Sequence, residues 1–348
     1  IWIMGDNLNR VFSDRAIFSA NIFYPAEDSV AFQEMQWNNT VVFGIFYGLS
    51  GNPVFAYNVL LFLTFFLTGL SSFVSARVIG CRFLISLFVG LFTAYYPARF
   101  VHTPHVQLLA FFWVIIPFGL LIAYLRSARR ELLVLFGVTY YFQSLNIGYC
   151  TAFLIFLCWS YVLYRIIISR FIGRQIAPWR SLVNVVLVFV GSFLASLPFY
   201  LPYLHAASNG LKRGFTEWRQ FGLDLLQLSA VPKENVFYGE HVGAFRDFRI
   251  DGNISASFPG FIFLVIFGFA LAVFIFRVFR DQNFLLYRDC GYFLFMGLFF
   301  LGIAFGPIIK LRGEDLMLSP LIYFFKYFPL LQTTRYLPAY VQPTVYCF

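Results

Sequence analysis

The 348-residue chain is 60% hydrophobic and 22% aromatic, and only 12% of its residues are charged. A soluble domain of this size carries roughly 25% charged residues, so a water-soluble globule is excluded. The net charge of +9 falls on alternate turns between apolar blocks, which excludes a basic face for nucleic acid.

The first segment, residues 1–53, is polar and amphipathic and carries Asp6, Asp14, Glu27, Asp28 and Glu34. Five carboxylates beside a membrane suit a general base or a cation site; a solvated surface is the plain alternative. Residues 31–49 are half apolar but include Gln33, Glu34, Gln36, Asn38 and Asn39. This stretch is expected to lie as an interfacial or re-entrant helix that does not span. Glu34 stands out within it, because an idle charge there is costly.

Apolar blocks follow at 54–79, 83–96, 106–125, 181–204, 258–279 and 291–309, most of them close to the about 20 residues that cross a hydrocarbon core. The apolar run 132–168 is broken by Gln143-Ser144-Leu145-Asn146-Ile147-Gly148. It reads as two short helices meeting at a polar turn, each shorter than ideal. A last helix starts near Tyr336. The fold class expected is therefore all-α: one polytopic transmembrane bundle over 1–348, with about eight spanning helices and interfacial helices on one side. The chain begins at Ile1 and ends within an apolar segment, which reads as a piece of a longer protein truncated at both ends.

Orientation comes from the arginines. Arg77 and Arg82, then Arg126, Arg129 and Arg130, then Arg165, Arg170, Arg174 and Arg180, and finally Arg277, Arg280 and Arg288 occupy alternate turns. Such turns face the cytoplasm in multi-pass proteins. The outer side then holds 1–53, the turn from Pro97 to His105, the turn near Asn146, the 206–257 loop and the stretch from Lys310 to Arg335. A loop as long as 206–257 is usually functional. Its Trp218, Phe237, Tyr238 and Phe245 are expected to fold it over the outer face.

Two further segments carry chemistry. In Tyr96-Pro97-Ala98-Arg99-Phe100-Val101-His102-Thr103-Pro104-His105-Val106-Gln107, a Pro-bounded turn presents one Arg and two His. The guanidinium fork suits phosphate, and His can shuttle a proton or hold a phosphate oxygen. Arg335 precedes the last helix; it suits an interfacial anchor or a second phosphate contact. Two His alone do not make a zinc site. The five cysteines, Cys81, Cys150, Cys158, Cys290 and Cys347, read as small apolar packing residues.

The order of several short motifs is distinctive. Asn21-Ile22-Phe23-Tyr24-Pro25 leads to Ala26-Glu27-Asp28-Ser29 and Ala31-Phe32-Gln33-Glu34. Gly51-Asn52-Pro53 and Phe66-Leu67-Thr68-Gly69 precede Tyr96-Pro97-Ala98-Arg99, and Phe258-Pro259-Gly260 and Gly306-Pro307 come later. The series resembles prokaryotic membrane proteins of the GT-C glycosyltransferase superfamily, in particular mannosyltransferase-like members. That resemblance implies a multi-pass protein of the prokaryotic inner membrane. It implies a polyprenyl-phosphate sugar donor, an acceptor glycan, lipid or protein, and an active site on the non-cytoplasmic face. The family's main catalytic Asp would lie upstream of Ile1, with Asp6, Glu27, Asp28 and Glu34 near that role. Arg99, His102, His105 and Arg335 would hold the donor phosphate. No motif calls for a cofactor, although the acidic segment leaves room for a divalent cation. A lipid or solute transporter, or a non-catalytic assembly protein, is the alternative.

Overall fold

A computed structural model of the chain describes residues 1–13, 17–20, 22–23, 29–146, 148–172, 179–208, 214–231, 236, 257–280, 289–327 and 337–347. They form two compact units. The first comprises residues 1–91, 105–162 and 175–212, and the second residues 92–104, 163–174 and 213–348.

The first unit opens with α1 (Trp2–Val11) and a single 3-10 turn (Ser29–Phe32), followed by α2 (Trp37–Ser50) and α3 (Pro53–Ile79). The start of α3 is written in its sequence. Pro53 fills the first helical position, and the Asn52 side chain accepts from the backbone N–H groups of Val54 and Phe55 at 3.0 and 3.1 Å. Then come α4 (Phe83–Tyr95), α5 (Pro97–Val101), α6 (Val106–Leu109), α7 (Phe112–Ser127), α8 (Arg130–Ser144), α9 (Gly148–Ile172) and α10 (Trp179–Ser208). α4 and α9 each run from the first unit into the second, and α5 belongs to the second.

One face of α3 buries Thr64, Thr68, Ser71, Ser72 and Ser75. Small polar residues at helical spacing let backbones approach closely, as membrane helices do where lipid supplies no hydrophobic drive between them. Gly119 of α7 shows how close: a Cβ there would lie 2.5 Å from Ser75 Oγ. The hydroxyls are satisfied locally, Ser71 and Ser72 donating to the Thr68 carbonyl at 3.0 and 2.8 Å.

The two ends of this unit differ in chemistry. At one end Arg77 donates to the Cys81 carbonyl at 2.6 Å, and Arg126 to the Val78 carbonyl at 2.5 Å. The turns 77–82 and 126–130 are thus tied together. Asn184, near the start of α10, donates to the Tyr124 hydroxyl at 3.2 Å, which brings Arg180 to the same end. At the other end Tyr200 donates to the Ser144 carbonyl at 2.5 Å, and Tyr203 to the Gln33 carbonyl at 2.7 Å. Arginine turns and amide-bearing turns therefore lie at opposite ends of the helices, the segregation expected from the charge pattern.

The second unit holds α11 (Phe215–Phe221), a 3-10 turn (Leu225–Ser229), α12 (Phe261–Arg280), α13 (Cys290–Ala304), α14 (Ile322–Tyr327), a 3-10 turn (Leu337–Tyr340) and α15 (Val341–Cys347). Between α13 and α14 an antiparallel hairpin pairs β1 (Ile308–Leu311) with β2 (Glu314–Leu318). Asp224 organises its surroundings. Its carboxylate accepts from Leu226 N–H and from Gly313 N–H at the hairpin turn, at 2.9 and 2.8 Å, and Gln227 returns a bond to its backbone. This capping box shapes the turn, and the Gly313 bond ties residues 214–231 of the 206–257 loop to the hairpin; Phe237, Tyr238 and Phe245 lie outside the described residues. The loop's Trp218 is buried and packs on Phe325. Gly222 lets the loop touch the end of α13, since a Cβ there would lie 2.5 Å from the Phe305 carbonyl oxygen.

Five helical stretches among the described residues are long and apolar enough to cross a bilayer: Pro53–Ile79, Phe83–Val101, Val106–Ser127, Cys150–Ile167 and Trp179–His205. Phe261–Val273 and Gly291–Ala304 are shorter apolar stretches. Their outer walls are bare hydrocarbon. Leu84, Phe88 and Leu91 of α4, Leu187, Phe193 and Leu194 of α10, and Ile262, Val265, Phe269 and Phe276 of α12 are all exposed. Each such side chain forfeits on the order of 1.5–3 kcal/mol when left in water. These ten together rival the roughly 5–15 kcal/mol that holds a whole domain folded. Lipid, not water, is their solvent, and the protein is an integral membrane protein.

Three details differ from the sequence expectation. The second of the two short helices predicted within 132–168 is the 25-residue α9, which starts directly at the polar turn and continues past Ile168. Only α8, with 15 residues, is short. The block predicted to run to Ile309 stops at Ala304, where Gly306 (φ 80°) turns the chain into β1, so a hairpin is added to an otherwise helical fold. The stretch 31–49 is not one helix but a 3-10 turn and the 14-residue α2. At about 1.5 Å per residue, α2 is too short for a hydrocarbon core about 30 Å thick. It presents Val41, Ile45 and Leu49 on one exposed stripe.

Candidate functional site

The amide-bearing end of the first unit is built by four chain segments. Gln36 caps α2 in a left-handed conformation (φ 54°), which a non-glycine residue adopts only where its surroundings impose it. Two backbone bonds impose it here. Gln36 N–H donates to the Asn146 carbonyl at 3.4 Å, and Trp37 N–H to the Leu145 carbonyl at 3.1 Å. The start of α2 is thereby fixed against the end of α8. From α1, Asn7 donates to the Met35 carbonyl at 2.8 Å and to the Thr40 hydroxyl at 3.0 Å. From α9, the Thr151 hydroxyl donates to the Gln143 carbonyl at 3.2 Å.

Glu34 lies within this frame. Its carboxylate accepts from Gln107 of α6 at 3.4 Å, and it is close enough to Cys150 and Tyr203 to act on both electrostatically. Burial raises its pKa above the ordinary carboxylate range, opposed in part by its backbone hydrogen bond and by Gln107. A carboxyl with raised proton affinity in a polar, sheltered setting is the environment of a general acid or base.

At this end of the unit several neutral amides are buried and under-bonded. Asn38, Asn39 and Gln143 are fully buried, and Asn146 and Gln36 nearly so. Among the described residues, both polar atoms of the Asn39, Gln143 and Asn146 side chains, the Asn38 Nδ2 and the Gln36 Oε1 have no hydrogen-bond partner. An unmatched buried polar group costs about 1–3 kcal/mol, and native proteins leave few of them.

The other predicted site residues are placed differently. Asp6 ion-pairs with Arg10 one turn away on α1, and Arg10 also donates to the Ile17 carbonyl at 2.6 Å; that carboxylate holds the fold of α1. Glu27, Asp28 and Arg335, with Asp14, lie outside the described residues. Arg99 is not presented to solvent as its turn suggested. It is fully buried on α5 in the second unit, whose Ala98 N–H donates to the Phe258 carbonyl at 3.1 Å. His102, also in the second unit, is half-buried, and His105, in the first, is exposed. Among the described residues no three His, Cys, Asp or Glu side chains gather as a metal site would require.

No protein-family model matches this chain, and no curated protein or solved structure is similar to it.

Two predicted segments do converge. Glu34 of the first polar stretch meets Gln107 of the Tyr96–Gln107 motif. What the charge-led reading passed over is the role of the amides. Gln36, Asn38 and Asn39, and Gln143 with Asn146, were visible as polar residues interrupting apolar runs. That they share one end of one bundle follows only from the α2–α8 contact.

Proposed function

We propose that the protein is a membrane glycosyltransferase that moves a sugar from a polyprenyl-phosphate-linked donor to an acceptor hydroxyl on the non-cytoplasmic face, with Glu34 as its base. The observation that carries this reading is the Glu34 carboxyl, raised in proton affinity by burial and bonded by the Gln107 amide at the end opposite the arginine turns. In the reaction, the acceptor oxygen attacks the anomeric carbon on the face opposite the lipid phosphate. Its proton passes to Glu34, the bond from the anomeric carbon to the phosphate oxygen breaks, and polyprenyl phosphate leaves. The sequence resemblance gives the same direction of transfer, from a lipid donor to an outer acceptor.

The test uses the full-length protein in lipid nanodiscs, a panel of polyprenyl-phosphate sugars, and released polyprenyl phosphate as readout. Glu34→Gln keeps the shape and the Gln107 contact but removes the base. It is expected to lower turnover about 10²-fold or more with folding intact. Unchanged turnover would remove Glu34 from the mechanism.

A second reading, transport of a neutral polar solute, is favoured by the buried amides themselves. Uptake of such a solute into sealed vesicles, with no lipid phosphate released, would select it.

A further inference from the structure

After α13 the chain leaves the helical wall through an apolar hairpin whose second strand is open. All five residues of β2 are exposed, and Leu316, Met317 and Leu318 each show more than half of their surface. Among the described residues the sheet has two strands, in the order β1-β2, so no third strand covers the far edge of β2. β1 is sheltered on its other side. Lys310 is buried, its ammonium donates to the Gln220 carbonyl at 3.1 Å, and a backbone bridge joins it to Asp224. The next helix continues the open surface. On α14, Phe325 is buried against Trp218, whereas Tyr323 and Tyr327 are exposed with their rings stacked, and the Lys326 ammonium lies 5.2 Å from the Tyr327 ring.

Two observations say what covers this surface. The first is continuity with a wall that faces lipid. Phe324 lies edge-on to Phe299 of α13 at 5.4 Å between ring centroids, and a Cβ on Gly302 would lie 2.8 Å from Leu321 Cδ1, so α14 packs on α13. Phe295 and Leu298 of α13 are themselves exposed. The second is depth. α13 has 15 residues, about 22 Å at about 1.5 Å per residue, against a hydrocarbon core about 30 Å thick. It starts just after Arg288, in a turn that the charge pattern assigns to the headgroups of one leaflet. Its other end, with Ile308 and Leu318 paired just beyond it, therefore falls short of the opposite surface. Polarity rises along the hairpin as this depth requires. Met317 and Leu318 lie towards the helix, and Arg312, Glu314 and Asp315 lie at the tip.

We propose that the β1–β2 hairpin and α14 form an anchor embedded in the interfacial layer of the bilayer, in the leaflet opposite the 277–288 turn. Leu316, Met317 and Leu318 rest against the upper acyl chains, and Tyr323 and Tyr327 stand at headgroup level. Tyr favours that layer because its ring is apolar and its hydroxyl is not. Lys326 suits it as well, since a lysine stem lies along apolar surroundings while its ammonium reaches headgroup phosphates. The layer also suits the open edge of β2. Strand backbone groups need hydrogen-bond partners, which water and headgroups supply there and the hydrocarbon centre does not. The anchor compensates for the shortness of α13, whatever reaction the protein performs. The rival occupant is a strand of another protein or of a second copy, pairing with the same edge.

Depth measured by fluorescence decides between them. In a cysteine-free background of the full-length protein, Met317→Cys, Tyr323→Cys and Glu314→Cys each receive an environment-sensitive NBD label in phosphatidylcholine nanodiscs. Quenching by lipids spin-labelled high on the acyl chain is compared with quenching by lipids spin-labelled near its end. The labels at 317 and 323 are expected to be quenched about twofold or more better by the high spin label, and the label at 314 by neither. A second reading needs no substitution. Chloramine-T is a water-borne oxidant, and Met317 is exposed while Met4, Met35 and Met296 are buried. In nanodiscs the oxidation of Met317, followed by peptide mass spectrometry, is expected to run several times slower than that of free methionine.

If neither spin label quenches position 317 and Met317 oxidises as fast as free methionine, the hairpin stands in water and the proposal fails. If position 317 is unquenched but Met317 is still protected, protein covers the edge, and the proposal fails equally. Stronger quenching by the deep spin label would put the hairpin at the hydrocarbon centre and overturn the interfacial placement. Where a labelled variant does not fold, the oxidation of Met317 in the unsubstituted protein decides: fast oxidation rejects the anchor.

Discussion

Gln107 donates a hydrogen bond to Glu34 across 73 positions of chain. The pair joins the first polar segment to the short α6, and it offsets part of the cost of burying a carboxylate. Burial still dominates, so the folded protein holds the Glu34 proton more tightly than the unfolded chain does. A group whose proton affinity rises on folding contributes stability that is full below the ordinary carboxylate range and is lost as pH climbs through the raised value. Wild type should therefore lose thermal stability over that window, whereas Glu34→Gln should not. The two melting curves should coincide at acidic pH, with the variant melting higher at pH 8. Identical pH profiles would mean that the carboxylate is not sheltered.

Close packing of α3 on α7 is tested by Gly119→Ala. The new methyl would sit 2.5 Å from Ser75 Oγ, so strain of about 1–3 kcal/mol is expected. Ser75→Ala in the same chain removes the opposing oxygen and should restore most of the loss. Urea or thermal unfolding in detergent measures both, and a neutral Gly119→Ala would show that the helices lie farther apart.

Asp224→Ala should loosen the second unit locally. It removes the acceptor for Leu226 N–H and Gly313 N–H, a loss of about 0.5–1.5 kcal/mol per hydrogen bond, since Gly313 is exposed and Leu226 half-buried and water can take the carboxylate's place. Hydrogen exchange at Gly313 and around Leu226 should quicken while the apolar helices stay protected. Uniform protection would deny the carboxylate this role.

Orientation is open to direct labelling. In a cysteine-free background, His105→Cys and Ser127→Cys place one thiol at each exposed end of the first unit. A membrane-impermeant maleimide should modify the first in intact cells and the second only after permeabilisation, as alternate arginine turns dictate. Labelling of both from one side would reverse the assignment of the site to the outer face.

The membrane helices were largely legible because lipid imposes a simple code. Asn52-Pro53 announces α3, and Arg77, Arg126 and Arg180 mark one end of the first unit. Other features answer to tertiary context. Arg99 reads as an anion-binding side chain on a surface turn, yet packing of α5 against Phe258 buries it. The β1–β2 hairpin was hidden because Ile308 and Ile309 extend the apolar run of α13, and only the φ of Gly306 ends the helix. The Glu34–Gln107 contact joins two segments that charge had singled out, but the buried amides at the same end of the unit carry no charge and stood out only as interruptions. Which of those amides lack a bonding partner is a property of three-dimensional packing, to which no spacing rule applies.

The Arg126–Val78 bond has a mechanical consequence. It ties the last turn of α7 to the last turn of α3, so the arginine that marks this end also holds it together. A change that neutralises Arg126 would therefore act twice, weakening the charge that orients the chain and releasing the contact between two membrane helices.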